Sequence, residues 1–158
     1  MFRELTRKNK QLSDEECAIV LDAETRGVLS VNGDNGYPYG MPMNHFYNKD
    51  DGCIYFHCGK SGHRIDSLQK DDKVSFCVYN KGEKDVGDWA YNVKSVIVFG
   101  KIEIVDSLDD IIDITTKLSL KFTDDMSYIK DEVSKYASGT LLLKLVPEHI
   151  CGKRIKES

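Results

Sequence analysis

Hydrophobic and polar residues alternate along much of this chain, which is typical of strands that bury one face. The alternation is clearest in residues 73–79 and 92–105, where apolar side chains occupy every second position. The predicted strands are residues 26–31, 37–47, 53–57, 73–79, 92–105 and 139–146. Because most of them follow one another as hairpins, the pattern predicts a mainly β protein, a six-stranded antiparallel barrel with flanking helices.

Apolar residues three and four positions apart predict helices between and after these strands. The first starts at a capping box, in which Ser13 is the N-cap and Glu16 reaches back to it, and it ends near Thr25. The other predicted helices are residues 63–70, 107–120 and 128–136.

The ends of the chain lie outside this series of elements, as does a polar loop at residues 81–88. Residues 1–12 are predicted to form an N-terminal arm, and Pro147 is expected to end the last strand and leave residues 147–158 as a C-terminal tail. No linker long enough to separate domains interrupts the rest, so we interpret residues 1–158 as a single domain.

Two prolines make the predicted strand at residues 37–47 unusual. Pro38 and Pro42 are four residues apart, so their missing amide donors lie on the same side of the pleat. Proline is excluded from central strands and tolerated at edges. We therefore expect one side of this strand to lack regular pairing, which suits a backbone that faces a ligand.

The longest predicted strand, residues 92–105, has a second face that is only partly polar. Ile97 and Phe99 are apolar on that face, whereas Lys101 and Glu103 are charged. Either a partner subunit or one of the chain's own helices could cover the apolar half, and the pattern favours neither.

Composition excludes several classes of partner. The net charge is −4 with both signs interleaved, whereas duplex binding needs a basic stripe, so we expect no nucleic-acid partner. No run approaches the roughly 18 apolar residues of a membrane span. The charged N-terminus lacks the apolar core of a secretory signal, and the five scattered cysteines are read as free thiols of a cytoplasmic protein.

The segment from residue 55 to 64, YFHCGKSGHR, contains most of the candidate chemistry. A strand runs into a bend with two glycines, and a helix is predicted directly after it. Glycines let the backbone approach a ligand, and free amides at a helix start attract anions. Lys60 and Arg64 add positive charge and Ser61 adds a hydroxyl donor, so the segment predicts a phosphate cradle.

Other chemistries for the same region are less consistent with its spacing. Cys53, His57, Cys58 and His63 are all potential metal ligands, but Cys58 points to the opposite strand face from His57, and no common zinc spacing is present, so no metal is predicted. A nucleophilic cysteine with a histidine base lacks any local signature. The bend is neither a Walker A loop nor a dinucleotide-binding fingerprint.

Taken together, these segments resemble the pyridoxamine 5′-phosphate oxidase-like flavoproteins, and within them the branch named for nitroimidazole-antibiotic resistance. The resemblance covers residues 12 to 154 and implies a split β-barrel that forms a homodimer and holds FMN at the subunit interface. The segments that carry it are RGVLS at 26–30, YPYGMPMN at 37–44, IYFHCG at 54–59, GHRID at 62–66, KVSF at 73–76, SVIVFGK at 95–101 and GK at 152–153.

The resemblance also implies roles for single residues. Lys60, Ser61 and Arg64 are expected to hold the FMN phosphate, where many members of the branch have lysine in place of this arginine. The remaining implied flavin contacts are Met43, Asn44, His57 and Ser95, with Trp89 and Tyr91 reaching the flavin of the other subunit.

The function implied is that of an FMN-dependent oxidoreductase that reduces small electron-poor compounds such as nitroaromatics. His57 is the candidate proton donor, and a hydrogen-bonded strand histidine is the alternative for the same residue. The chain lacks the basic C-terminal segment with which true pyridoxamine phosphate oxidases bind pyridoxal phosphate. A flavin-storing protein without a substrate, or a barrel that binds heme or a deazaflavin instead of FMN, is the alternative function.

Overall fold

The computed structural model describes residues 1–157, and all of its strands belong to one antiparallel sheet. The helices are α1 (Asp14–Ala23), α2 (His63–Lys70), α3 (Leu108–Ser119) and α4 (Met126–Tyr136). The strands are β1 (Arg26–Asn32), β2 (Pro38–Asn44), β3 (Phe46–Tyr47), β4 (Ile54–Gly59), β5 (Lys73–Tyr79), β6 (Glu83–Lys84), β7 (Tyr91–Val105) and β8 (Thr140–Glu157). No helix in the described part of the chain is long and apolar enough to cross a membrane.

The sheet has the order β2-β1-β5-β7-β8-β4-β3, and β6 pairs with the start of β7. It curls into a half-barrel around side chains that are completely buried, among them Leu29, Phe56, Phe76, Val96 and Leu143. A second apolar cluster lies on the other side of β4 and β8, beneath α3 and α4. The predicted fold class, a mainly β split barrel with flanking helices, is therefore confirmed.

The predicted number of strands is wrong, because the sheet has eight strands rather than six. The predicted strand at residues 37–47 divides at His45: β2 pairs with β1, whereas β3 pairs with β4 at the opposite end of the sheet. The additional strand, β6, lies in a segment that reads as a polar loop. The alternation of apolar and polar residues indicates that a segment is a strand, but it does not indicate which strand the segment pairs with. Neither the division at His45 nor the short strand β6 could therefore be predicted from the sequence pattern.

The predicted end of the last strand at Pro147 is also wrong. β8 continues to Glu157 and pairs with β7 from Leu142 onward, so residues 147–157 form sheet and not a tail. His149 pairs with Phe99 and Pro147 with Gly100, which leaves Glu148 as one extra residue in β8. The bulge lies directly after Pro147, and proline within a sheet is found at such irregular positions, where the ladder of hydrogen bonds is locally disrupted.

The two prolines of β2 lie on an edge strand, as predicted. Pro38 pairs with Asn32 and Pro42 with Val28, both on β1, and no strand within residues 1–157 pairs with the other side of β2. The predicted capping box of α1 is present too: the Ser13 hydroxyl accepts a hydrogen bond from the Glu16 amide, and the Glu16 carboxylate accepts one from the Ser13 amide.

None of the four helices described above covers the apolar half of the second face of β7. α1 packs against β7 from the core side, through Cys17, Val20 and Leu21. On the outer side, the N-terminal arm places Phe2 against Phe99, with ring centroids 5.6 Å apart. We call this side of the sheet, with Val28, Cys77, Ile97 and Phe99 in adjacent rows, the outer face.

His45 lies at the point where the chain passes from one end of the sheet to the other, and it is completely buried. Its Nε2 lies 2.8 Å from the Leu21 carbonyl oxygen, and Nδ1 has no partner. The Lys121 ammonium donates to the His45 carbonyl at 3.1 Å and to the Glu24 carbonyl at 2.6 Å. Desolvation, with the nearby Lys121 charge adding to it, lowers the pKa of His45 to about 4.

This buried imidazole makes the fold sensitive to acid. The pKa of His45 is about 4 in the folded chain and about 6.5 in an unfolded one, so the unfolded state takes up the proton first. Above pH 6.5 the neutral His45 does not reduce the free energy of unfolding. As the pH falls from 6.5 toward 4, protonation of this histidine in the unfolded state lowers the free energy of unfolding, by about 3 kcal/mol at pH 4. Urea unfolding between pH 7 and pH 4 measures this loss.

The control is His45→Gln, which keeps an amide donor for the Leu21 carbonyl but does not titrate. We expect its free energy of unfolding to fall less steeply with acid than that of the wild type. Parallel curves for the two proteins would show that His45 does not cause the acid sensitivity.

Candidate functional site

The half-barrel is open on one side, between β2 and the second half of β4. Near His45 the opening is closed by β3, because Phe46 pairs with Tyr55 and Tyr47 with Ile54. Beyond Tyr55, β4 pairs only with β8, and β2 pairs only with β1. The chain leaving β4 turns through residues 60–62 into α2 at this opening.

A cavity of about 220 Å³ lies at the opening. It is lined by Tyr39 from β2, by the end of β4 and by the bend and first turn of α2, with the residues Cys58, Gly59, Ser61, Gly62, His63, Arg64 and Ile65. The predicted phosphate cradle therefore coincides with a cavity, and its far wall is supplied by a strand distant in sequence. We call this cavity the cradle.

Backbone amides at the start of α2 are available to a ligand. The other three helices have side-chain caps, from Ser13, Ser107 and Asp125, whereas the N-cap of α2 is Gly62, which has no side chain to accept from an amide. Gly62 has φ 118°, a conformation that favours glycine. The uncapped first turn leaves amide donors and the positive end of the helix dipole free for an anion.

Positive charge at the cradle has no acidic partner. Arg64 is half-buried and donates from Nε to the Met41 sulfur at 3.1 Å, which directs its side chain across the opening to β2. Lys60 and Ser61 are exposed on the bend. Within residues 1–157 no carboxylate forms an ion pair with Arg64 or Lys60, so both charges are free to meet a bound anion.

His63 stands in the wall of the cradle and is held from two sides. Its ring stacks on Tyr39 with centroids 4.3 Å apart and planes 13° apart. Its Nε2 lies 3.5 Å from a carboxylate oxygen of Asp34, whose other oxygen accepts from Lys70. Neither Asp34 nor Tyr39 was marked as a site residue by the sequence pattern, because the turn before β2 meets α2 only in the folded chain.

The predicted ring contacts on β2 lie along the same open edge. Met43 is buried with its side chain in the core, so only its backbone faces the opening, whereas the Asn44 side chain is exposed. Along β2, Asn44 lies about 17 Å from Tyr39 in the cradle wall, in the direction of β3. Both residues therefore remain candidate contacts for a long ligand that starts in the cradle.

Ser95, Trp89 and Tyr91 lie away from the cradle. Ser95 is on the outer face of β7, where it pairs with Tyr79 of β5. Since β7 is the third strand from β2, and neighbouring strands are about 4.8 Å apart, Ser95 lies about 14 Å from Asn44. Trp89 and Tyr91 belong to the β6–β7 hairpin and are 70% and 44% exposed. None of the three lines the cradle, and their predicted flavin contacts stay predictions.

His57 points to the other side of β4 from Cys58. It lies at the mouth of a second cavity, of about 200 Å³, between β4 and the helices α3 and α4. More than a third of its surface is accessible, but the desolvation of its ring, and secondly the charge of Arg64, lower its pKa below the ordinary value. Arg64 thus acts on the His57 ring through its charge, while His57 itself does not line the cradle.

The cysteines lack the properties of nucleophiles or metal ligands. All five are free thiols, and burial raises the pKa of each, that of Cys17 to about 11. A raised pKa leaves little thiolate at neutral pH. Within residues 1–157, no three histidine, cysteine, aspartate or glutamate side chains come together as a metal site requires.

Solved structures with the same fold include proteins that bind several cofactors. A conserved hypothetical protein of Mycobacterium tuberculosis is 18% identical with a TM-score of 0.80, covering 95% of this chain and 90% of its own. A candidate 5-nitroimidazole antibiotic resistance protein of Bacteroides thetaiotaomicron is 20% identical with a TM-score of 0.75, and the match covers 93% of this chain and 87% of that protein. A FAD- and heme-binding protein of Mycobacterium smegmatis is 17% identical with a TM-score of 0.70, and the match covers 94% of this chain and 74% of that protein.

The same fold is also found in a FAD-binding protein of Mesorhizobium loti and in an F420 reductase. No curated protein matches the sequence. The family model described as pyridoxamine 5′-phosphate oxidase matches residues 13–154, which is most of the chain. The protein therefore belongs to the pyridoxamine 5′-phosphate oxidase family.

Proposed function

We propose that this protein binds FMN, with the phosphate in the cradle, and acts as an oxidoreductase on small electron-poor compounds. The observation that carries the proposal is the uncompensated charge of Lys60 and Arg64 beside the uncapped start of α2. Arginine and free amides at a helix start together suit an anion such as a phosphate group better than a neutral ligand. Bound FMN supplies the redox chemistry, and the protein supplies orientation and electrostatics.

The open edge of β2 gives the rest of the cofactor a place to lie. The exposed residues of β2 form a surface that leads away from the cradle, namely Gly40, Pro42 and Asn44. Pro42 has no amide donor, so the backbone there has fewer polar groups to satisfy. We propose that the Met43 backbone and the Asn44 side chain contact the flavin ring at the end of this path.

We further propose that a second copy of the chain covers the outer face. Val28, Cys77 and Ile97 lie side by side there on three paired strands, and Val28 is 39% exposed. Because Asn44 and Ser95 are about 14 Å apart in one chain, a ring at Asn44 is expected to meet Ser95 from the second copy. Trp89 and Tyr91, at the margin of the same face, would then approach that ring as well.

Heme is a weaker candidate than FMN, although a related fold binds it. Heme needs an axial ligand, and the accessible histidines are His57, His63 and His149. These three lie at the α3–α4 cavity, in the cradle wall and under Phe2 on the outer face, so no shared pocket gathers them. A phosphate-bearing deazaflavin could use the phosphate-binding features of the cradle in the same way as FMN.

Replacing Lys60 and Arg64 together with alanine tests the phosphate assignment. A hydrogen bond to a charged group contributes about 1.5–3 kcal/mol, so we expect the affinity for FMN to fall at least a hundredfold. The measurement is titration of FMN fluorescence, supported by the visible spectrum after loading and desalting, in which the wild type should retain about one FMN per chain.

The control removes two lysines on other elements, Lys10 in the N-terminal arm and Lys130 on α4, and should leave the affinity unchanged. Equal binding by the cradle variant and the wild type would place the phosphate elsewhere. A wild-type protein that retains no flavin, or that shows a Soret band, would contradict the FMN proposal itself.

The proposed dimer is tested by Ile97→Lys, which places a charge at the centre of the outer face. We expect the apparent mass in size-exclusion chromatography with light scattering to fall from that of two chains to that of one. Ile112→Lys is the control, since Ile112 is a comparable isoleucine on α3, 40% exposed and outside this face. A wild-type protein that runs as one chain would refute the dimer.

Turnover separates the oxidoreductase from a flavin-storing protein. FMN-loaded wild type should oxidise NADH or NADPH with a nitroaromatic acceptor, and His57→Phe should slow this by about a hundredfold or more if the imidazole donates a proton. The FMN content of the variant is the control, because His57 lies outside the cradle. Full FMN content without turnover in the wild type would favour storage, and equal rates would remove His57 from catalysis.

A further inference from the structure

We infer that the cavity between β4, α3 and α4, which we call the α3–α4 cavity, is a second ligand site for a neutral single-ring compound with one hydrogen-bonding substituent. It lies on the opposite side of β4 from the cradle, because His57 lines it whereas the next residue, Cys58, lines the cradle. The inference goes beyond the proposed function, since this site requires neither a flavin nor a phosphate.

The buried residues that line the α3–α4 cavity are apolar. Leu118 of α3 is 5% exposed, and Ala137, directly after α4, is 6% exposed. Val133 is half-buried, and it packs with Ala137 against the apolar cluster beneath the two helices. Such walls bind the apolar body of a ligand more favourably than they bind water.

The volume of the cavity limits the size of its occupant. An apolar protein cavity of about 150 Å³ can hold a benzene molecule. The α3–α4 cavity has about 200 Å³, which leaves room for one aromatic ring and a small substituent but not for the three fused rings of a flavin. The exposed side chains of His57 and Tyr136 in its lining show that the cavity is open to solvent, so a ligand can enter.

Two polar side chains in the lining are available to a ligand. The hydroxyls of Thr115 and Thr140 already donate to backbone carbonyls of the helices, at 2.5 Å and 2.8 Å. The Ser119 hydroxyl and the His57 ring make no hydrogen bond within residues 1–157. Desolvation, and secondly the charge of Arg64, lower the pKa of His57, so its neutral ring offers one N–H donor and one acceptor nitrogen. A carboxamide, which also donates and accepts, matches these two side chains.

The lining has no free charge for an ionic ligand. Within residues 1–157 its one carboxylate, Glu132, pairs with Lys135 at 3.2 Å, and neither lysine nor arginine lines the cavity. Arg64 lies on the other side of β4, with the cradle. A charged ligand would therefore lose its hydration without contacting an opposite charge, which is unfavourable. We expect the site to prefer a neutral compound to its anion.

The test is the binding of benzamide to the full chain, measured by saturation-transfer NMR without any reductant. We expect a dissociation constant on the order of 1 mM or below, which is reasonable for so small a ligand. Benzoate has the same shape with a negative charge and should bind at least about tenfold more weakly. Toluene keeps the ring without a hydrogen-bonding group and should bind about threefold or more weakly than benzamide.

Two variants locate the bound benzamide. Val133→Phe fills the cavity and should weaken binding at least about tenfold, since it removes the space for the ring. Its matched control is Ile19→Phe, which adds a ring at a position on α1 that is 65% exposed and outside the cavity. Ser119→Ala should weaken benzamide binding about threefold and leave toluene binding unchanged, a difference that damage to the fold would not produce.

Added FMN should not displace benzamide, because the cradle is on the other side of β4. Displacement by FMN would place benzamide in the flavin site and overturn the inference. Equal binding to Val133→Phe and Ile19→Phe would overturn it too, and so would a wild type that binds no benzamide, in which case the cavity holds water only. A protein that binds benzamide but retains no FMN would refute the proposed function and leave this inference standing.

Discussion

The architecture depends on one strand edge that is left without a partner. β2 pairs with β1 on one side only, and its two prolines remove donors that a neighbour on the other side would need. The chain then passes His45, whose ring is buried against the Leu21 carbonyl, and joins the other end of the sheet as β3. The barrel is thereby closed at one end and open at the other, and the cradle occupies the open end.

The local charge of the cradle differs from that of the whole chain. The protein carries a net charge of −4, yet Lys60 on the bend and Arg64 in the first turn of α2 form no ion pair within residues 1–157. Elsewhere the pairs are conventional, such as Glu16 with both Lys94 and Arg154. An average charge therefore excludes a polyanionic partner such as duplex DNA, but it does not exclude a site for one small anion.

The features that could be predicted are those whose residues are close in sequence. Residues 60–64 are contiguous, so a glycine bend, two cations and a helix start were visible as one motif, and the edge position of β2 followed from Pro38 and Pro42. The features that were missed depend on partners far along the chain. The change of pairing at His45, the bulge at Glu148 and the contact of Asp34 with His63 each require knowledge of which segments meet.

The only tryptophan gives the molecule an optical property of its own. Trp89 is 70% exposed on the β6–β7 hairpin, close to the outer face, and no second indole contributes to the emission. Water around the ring shifts its fluorescence to the red, and any surface that covers the hairpin would shift it to the blue. Because flavins absorb in the region where tryptophan emits, the intensity of this one residue would also report a bound flavin nearby, without any label attached to the chain.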